Sequence, residues 1–218
     1  MIKTITIKNI KSIFFNTILV IGLVSCSPIL KTITGVRDIR MQTVDDLTKF
    51  CIKNGIEPNE AYLYLPEEKL TYPDSTQINF RFADQVLVFN KNGDRIIYKG
   101  EQTGNYCSLP SDDFFSGMSS IFLPLDTVNT LQHVLQDYRN VETKAKPLID
   151  KEADYYLVYY WALWYKSFSK KNIKSVREIL AHADTTKKIQ TFYLNNDFVR
   201  RNYPEDVSFK KLKIDVSF

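Results

Sequence analysis

Reactive side chains are scarce in this chain, and that scarcity is the first constraint on its chemistry. Thiols occur at Cys26, Cys51 and Cys107 and imidazoles at His133 and His182, with nothing of either kind elsewhere. A metal site needs three or four converging ligands. No H-E-x-x-H, H-x-x-E-H or paired C-x-x-C spacing is present, so no metal and no cofactor is expected. Both histidines stand among polar neighbours in helical patterns and read as surface residues. No G-x-S-x-G, P-loop or G-x-G-x-x-G occurs, in keeping with only 7 glycines. The acid pairs Glu67-Glu68 and Asp112-Asp113 suggest carboxylate chemistry at first sight, but the second pair is better placed to complement a helix N-terminus. No residue set nominates a catalytic centre.

The three thiols differ in setting. Cys26 ends an apolar run, "IFFNTILVIGLV", that follows Lys3, Lys8 and Lys11. A positive n-region and a twelve-residue h-region, too short to span a bilayer comfortably, are the marks of a processing signal over residues 1–25. "LVSC", Leu23 to Cys26, resembles the lipobox of bacterial lipoproteins, which implies a diacylglyceryl group on Cys26 and cleavage just before it. Two or more acyl chains anchor a domain stably. Ser27 after that cysteine, with no acidic cluster in "SPILK", is similar to the outer-membrane-directed pattern, so the expected place is the periplasmic face of the outer membrane.

Outside the cytoplasmic membrane disulfides are permitted. Cys51 and Cys107 either form a bridge, closing a loop of more than fifty residues and contributing about 4 kcal/mol, or Cys51, in the apolar frame "LTKFCIKNGI", is a buried thiol. Cys107, between Tyr106 and Ser108, is the better placed of the two for exposure, and a redox reading would use this pair. Charge excludes another class of partner. Of the net +4, three charges leave with the leader, so the mature chain carries +1. A nucleic-acid footprint needs a concentrated basic stripe, and "RIIYKG" and "FKKLKI" are too short and too interleaved with apolar residues to make one.

Positioning these residues falls to alternating helical and extended patterns. Thr43 is a candidate N-cap with Asp45 and Asp46 in the first turn; Val44, Leu47, Phe50 and Cys51 share a face, and Asn54-Gly55 ends the helix. "EAYLYL" reads as a strand stopped by Pro66. "QINFRFADQVLVFNKNGDRIIYKG" holds an alternating run, an apolar run Val86 to Phe89, a turn in which Gly93 supplies a positive φ, and a partner strand Arg95 to Tyr98. A short helix is expected from about Ser111. Another is expected over "DTVNTLQHVLQDYRNVETK", where Val128, Leu131, Val134, Leu135 and Tyr138 recur at helical spacing.

"DYYLVYYWAL" is the nearly unbroken apolar run of a strand covered on both faces. A helix from about Ser169 to Ala183, with Ile173, Val176, Ile179 and Leu180 on one face, leads to the strand "KIQTFYLNN", which makes a parallel strand–helix–strand unit. "VSFKKLKIDVSF" adds an edge strand. No repeat or low-complexity linker divides the chain. The expected organisation is a leader over 1–25, a tether over 26–42 and a single α/β domain over 43–218.

Within that domain "YWALWYKSF", Tyr160 to Phe168, resembles the strand-to-helix junction of thioredoxin-like proteins, where an aromatic, Trp, Ala, any residue and Trp precede a C-x-x-C at a helix N-terminus. Trp161, Ala162 and Trp164 match, while Tyr165 and Phe168 occupy the two cysteine positions. The resemblance implies a three-layer thioredoxin-like fold. It also implies a site around Trp164, Tyr165 and Phe168 that cannot exchange disulfides, because thiolate stabilisation and resolution both need sulfur. "QVLVFNKNGDRIIYKG" is similar to that fold's later hairpin, but here it precedes the junction and no proline stands before Val86, which implies a permuted or divergent element order. The function implied is a binding or scaffolding module for an envelope protein or small ligand, held at a membrane. The aromatic run also permits a sugar-stacking platform of Trp161, Trp164 and Tyr165. A strand covered on both sides buries those rings instead, leaving Tyr165 the one partly exposed.

Overall fold

The computed structural model describes residues 39–65, 86–97, 130–183 and 186–205. In chain order these form α1 (Val44–Asn54), β1 (Ala61–Tyr64), β2 (Val86–Asn90), β3 (Arg95–Ile96), α2 (Leu131–Leu135), β4 (Tyr138–Asn140), β5 (Tyr155–Trp161), α3 (Lys166–His182) and β6 (Ile189–Asn195). One sheet takes all six strands in the order β3-β2-β5-β6-β1-β4. Strands β1, β6 and β5 are parallel neighbours, β2 runs antiparallel to β5, and β3 and β4 close the two sides as antiparallel partners of β2 and β1.

The sequence of β5 explains its central place. From Tyr156 to Trp161 every residue is buried, and alternate side chains enter two separate cores. Leu157, Tyr159 and Trp161 meet Leu47, Phe50 and Cys51 of α1 and Ile173 and Val176 of α3; Tyr156, Val158 and Tyr160 meet Leu131 and Leu135 of α2 and Phe192 of β6. Helices therefore cover both faces, which is what a strand with no polar face requires. The fold is mixed α/β, and the strand–helix–strand unit β5-α3-β6 is parallel with a register running from Tyr155 opposite Ile189 to Trp161 opposite Asn195.

Local signals set the boundaries of α1. Thr43 caps it reciprocally: its hydroxyl accepts the Asp46 N–H at 3.2 Å while Asp46 Oδ2 accepts the Thr43 N–H at 3.1 Å. Gly55, at φ 68°, turns the chain into the left-handed region, and the N–H groups of Gly55 and Ile56 close onto the carbonyls of Ile52 and Cys51. The hairpin β2-β3 turns at Gly93, φ 82°, with Asn90 Oδ1 accepting N–H bonds from Asn92 and Asp94.

Two expectations are corrected. The helix over 126–144 is described from Thr130 onward and is only Leu131–Leu135; Tyr138 lies on β4, opposite Tyr64. Tertiary pairing overrides the helical spacing there, because Tyr138 packs its ring edge-on against Tyr64 and Tyr160. Asn140 then turns the chain, accepting the N–H groups of Glu142 and Thr143 and donating to the carbonyls of Pro58 and Ala61. The second correction is to α3, which starts at Lys166 and not near Ser169. The strand before Val86, the Ser111 helix, the Asp112-Asp113 pair and the C-terminal edge strand lie outside the described residues.

Phe50 stacks on Trp161 with ring centroids 4.9 Å apart and planes 13° from parallel, tying α1 to the central strand. Phe50→Ala should cost about 3–5 kcal/mol, as emptying a buried aromatic site does. Ile52→Ala, two residues on but 66% exposed, should change stability by less than about 0.5 kcal/mol. Urea unfolding of the two variants checks the contrast, and equal losses would refute the assigned helix face.

Candidate functional site

Because β1, β5 and β6 are parallel, their carboxyl ends lie on one side of the sheet, where open α/β sheets usually bind ligands. The polar run Asn195-Asn196-Asp197 closes β6 there. The chain leaves β5 through Ala162, buried and extended at φ −154°, makes a single 3-10 turn over Leu163–Tyr165, and enters α3 at Lys166 with Tyr165 as N-cap. Ser169 is fully buried and clamps this turn: its hydroxyl accepts the Ala162 N–H and donates to the Ala162 carbonyl, both at 3.1 Å. A hydroxyl used in that way lies inside the first helical turn and is unfit to be the cap, which is why α3 begins before it.

Opposite stands the end of β6. Asp197 Oδ2 accepts the Leu163 N–H and the Asn195 side-chain N–H, each at 2.7 Å, and Asn195 Oδ1 accepts the Asp197 N–H at 3.0 Å. The Asn196 N–H donates to the Trp161 carbonyl at 2.9 Å, and the Tyr138 hydroxyl donates to Asn196 Oδ1. Further along, the Asn202 side chain donates to the Tyr64 carbonyl at the end of β1. Burial raises the Asp197 carboxyl to about 6, against the opposing pull of the Asn195 side chain and the N–H groups of Leu163 and Trp164. The segment Ile39–Gln42 joins the same end: Gln42 pairs in parallel with Val199, its N–H donating to the Phe198 carbonyl at 2.8 Å.

A pocket of about 260 Å³ opens between this segment, α1 and the junction, walled by Gln42, Phe50, Leu163 and Trp164. Its charged lining is Arg40, Lys49, Lys53 and Lys166 with one acid, Asp46. The Thr43 cap bonds come first in holding the Asp46 carboxyl below its ordinary range, with Lys49 and Arg40 adding to them. Cationic lining with its one carboxylate already engaged suits an anionic ligand group.

The three rings marked in the sequence are brought together, but only one lines this pocket. Trp164, 4% exposed, contacts Tyr165 at 5.5 Å between centroids, and Tyr165 stacks on Phe168 at 4.5 Å with planes 6° apart. Tyr165 and Phe168 are both half-buried. The two side chains at the positions where the resemblance puts thiols therefore pack on each other. Trp161 is inaccessible and Trp164 nearly so, which leaves neither indole face open to a sugar ring.

Cys51 is a free, buried thiol on α1, and burial pushes it up to about 12. Cys26 and Cys107 lie outside the described residues, and so does any pairing of Cys107. His133 and His182 are exposed on α2 and on the last turn of α3. Among the described residues no group of three or more His, Cys, Asp and Glu gathers to hold a metal, and no helix is long and apolar enough to cross a membrane.

Sequence reasoning missed Ser169, Asn195, Asp197 and the cationic pocket. The "NND" that ends an apolar strand was the visible signal for Asn195 and Asp197, since a strand end is where polar groups can converge. What the chain defines is a mixed α/β domain with a carboxylate locked beneath a strand-to-helix turn. Comparison with protein-family models, with curated proteins and with solved structures finds no match to this chain.

The raised Asp197 carboxyl means that the folded chain holds its proton more tightly than the unfolded chain. Its stabilising contribution is complete below about pH 4 and is lost as pH rises through about 6. Between about pH 4 and pH 8 the wild type should lose on the order of 3 kcal/mol relative to Asp197→Asn. Urea midpoints across that range provide the check; parallel pH profiles would refute the assignment.

Proposed function

We propose that the protein is an envelope lipoprotein, anchored through a lipidated Cys26 and facing the periplasm from the outer membrane. Its thioredoxin-like domain binds a partner protein or small ligand at the β5–α3 junction and performs no disulfide exchange. The observation that carries this reading is the pair Tyr165 and Phe168, N-cap and third residue of α3, stacked where exchange chemistry would need two thiols. A phenol and a phenyl ring supply neither a thiolate at the helix N-terminus nor a resolving group.

The parallel unit β5-α3-β6, with Trp161, Ala162 and Trp164 at its turn, supports the thioredoxin-like character. So does the hairpin β2-β3, which lies beside β5 on the same sheet although it precedes β5 in the chain. That placement favours a permuted order over a chance resemblance. Cys51 is a poor substitute nucleophile: with its thiol at about 12, only about one part in 10⁵ is thiolate at neutral pH.

In an insulin-reduction assay with dithiothreitol, the purified full chain should match the buffer blank, and turnover above it would sink the non-redox reading. The double variant Tyr165→Cys with Phe168→Cys should gain measurable turnover, since it restores sulfur at both positions. In cells, the wild type should pellet with membranes and show an acylated N-terminal cysteine by mass spectrometry, while Cys26→Ala should show neither. An unmodified Cys26 in the aqueous fraction would overturn the anchor.

A further inference from the structure

Among the described residues, positive charge gathers on one face. Between the C-terminal half of α1 and the length of α3 runs an open groove of about 880 Å³, and Lys53 lines both it and the smaller pocket at the junction. Lys166, Lys170 and Lys174 recur every fourth residue along α3, which places them on one ridge, with Lys171 and Arg177 beside it. Lys49 and Lys53 face them from α1, and Arg40 stands where the chain joins the domain.

Against these eight cations the lining holds two acids, and both are engaged. Asp46 belongs to the Thr43 cap, and Glu178 pairs with Lys174 at 3.5 Å. Among the described residues no carboxylate pairs with Lys49, Lys53, Lys166, Lys170 or Lys171. Among the described residues this face carries +6 and all the others together −1, so their excess positive charge is gathered on one side. Such segregation repels itself in the free protein and is relieved by an anionic surface. Ile52, 66% exposed, sits among the cations.

We propose that this α1–α3 face docks on the phosphate headgroups of anionic phospholipids in the bilayer that holds the anchor. The inference rests on the anchoring reading above and adds an orientation to it. Geometry ties the two together. Arg40 belongs to the segment through which the chain joins the domain, and thirteen peptide steps separate Cys26 from Ile39. Fully extended, they reach about 45 Å at most. An anchored chain thus keeps the domain within about that distance of the bilayer, tethered at the rim of this cationic face. A polybasic face beside one lipid attachment is the second signal that stable peripheral binding uses.

The test reconstitutes the full chain into vesicles of phosphatidylcholine alone or mixed with phosphatidylglycerol, and reads amine acetylation by mass spectrometry. Labelling at Lys170, Lys171 and Lys174 should fall in the anionic vesicles by about fivefold, roughly the factor one lysine's attraction to such a surface is worth. Lys146 and Lys151, exposed and outside the groove, should be labelled alike in both. High salt should abolish the difference, and Lys170→Glu with Lys171→Glu should abolish the protection of Lys174.

Attachment to both vesicles with equal labelling overturns the docking face and leaves the anchor standing. Attachment to anionic vesicles alone, reversed by salt, supports the face and removes the anchor. Attachment to neither overturns both. Equal protection by glycerol phosphate without vesicles overturns the bilayer as the source, because the groove would then take a soluble phosphate.

Discussion

A strand with no polar face can be stable only where both its sides are covered. Tyr156 to Trp161 of β5 form such a strand, and they impose the layout around them. β5 must have a hydrogen-bonding neighbour on each edge and a layer on each face. β2 and β6 supply the edges; α1 and α3 cover one face and α2 contributes to the other. Side chains as large as Trp161, Tyr156 and Tyr159 are fully enclosed as a result. The Phe50–Trp161 stack, which binds α1 to the sheet, is one consequence of filling that space with rings.

Covering the strand leaves a problem at its end. The backbone emerging from β5 carries N–H and C=O groups that are buried with the rings, and each must find a partner. Ser169 serves both polar groups of Ala162, Asp197 serves the Leu163 N–H, and the Trp161 carbonyl is reached by the Asn196 N–H. The solution places a carboxylate out of water, and desolvation raises its proton affinity. Structural satisfaction and chemical sensitivity thus have one origin. The tyrosine and phenylalanine at the start of α3 are stable there for the reason that makes them unsuited to disulfide exchange: they stack on each other and present no sulfur.

Electrostatics divides the domain in the other direction. The sheet and its junction are largely apolar and their buried backbone ends are bonded, although Trp161 Nε1, Asn196 Nδ2 and Asn202 Oδ1 stay buried without a hydrogen-bond partner among the described residues. The outer side of α1 and α3 instead gathers cations with few counter-charges among those residues. Arg177 shows how closely the two helices are coupled, since its guanidinium donates to the Asn54 carbonyl at the C-terminus of α1 and stands against Gly55. A side chain added at Gly55 would have to displace that guanidinium as well as adopt a left-handed φ.

Several features were legible from residues close in sequence. The cap at Thr43, the stop at Gly55, the Gly93 turn, the buried run of β5 and the parallel return through α3 to β6 all depend on propensity or periodicity within one or two turns of chain. The helix read over 126–144 failed for the complementary reason: Tyr138 and Asn140 are strand residues because β1 and Tyr160 stand beside them, and proximity of that kind has no local signature. The ring cluster could be placed at the junction from its spelling, but the stacking of Tyr165 on Phe168 away from the pocket was a matter of packing. Asp197, Ser169 and the cationic groove were decided by tertiary structure alone. Burial of a carboxylate and convergence of lysines from two helices arise from which distant segments meet, and a one-dimensional pattern does not encode that distance.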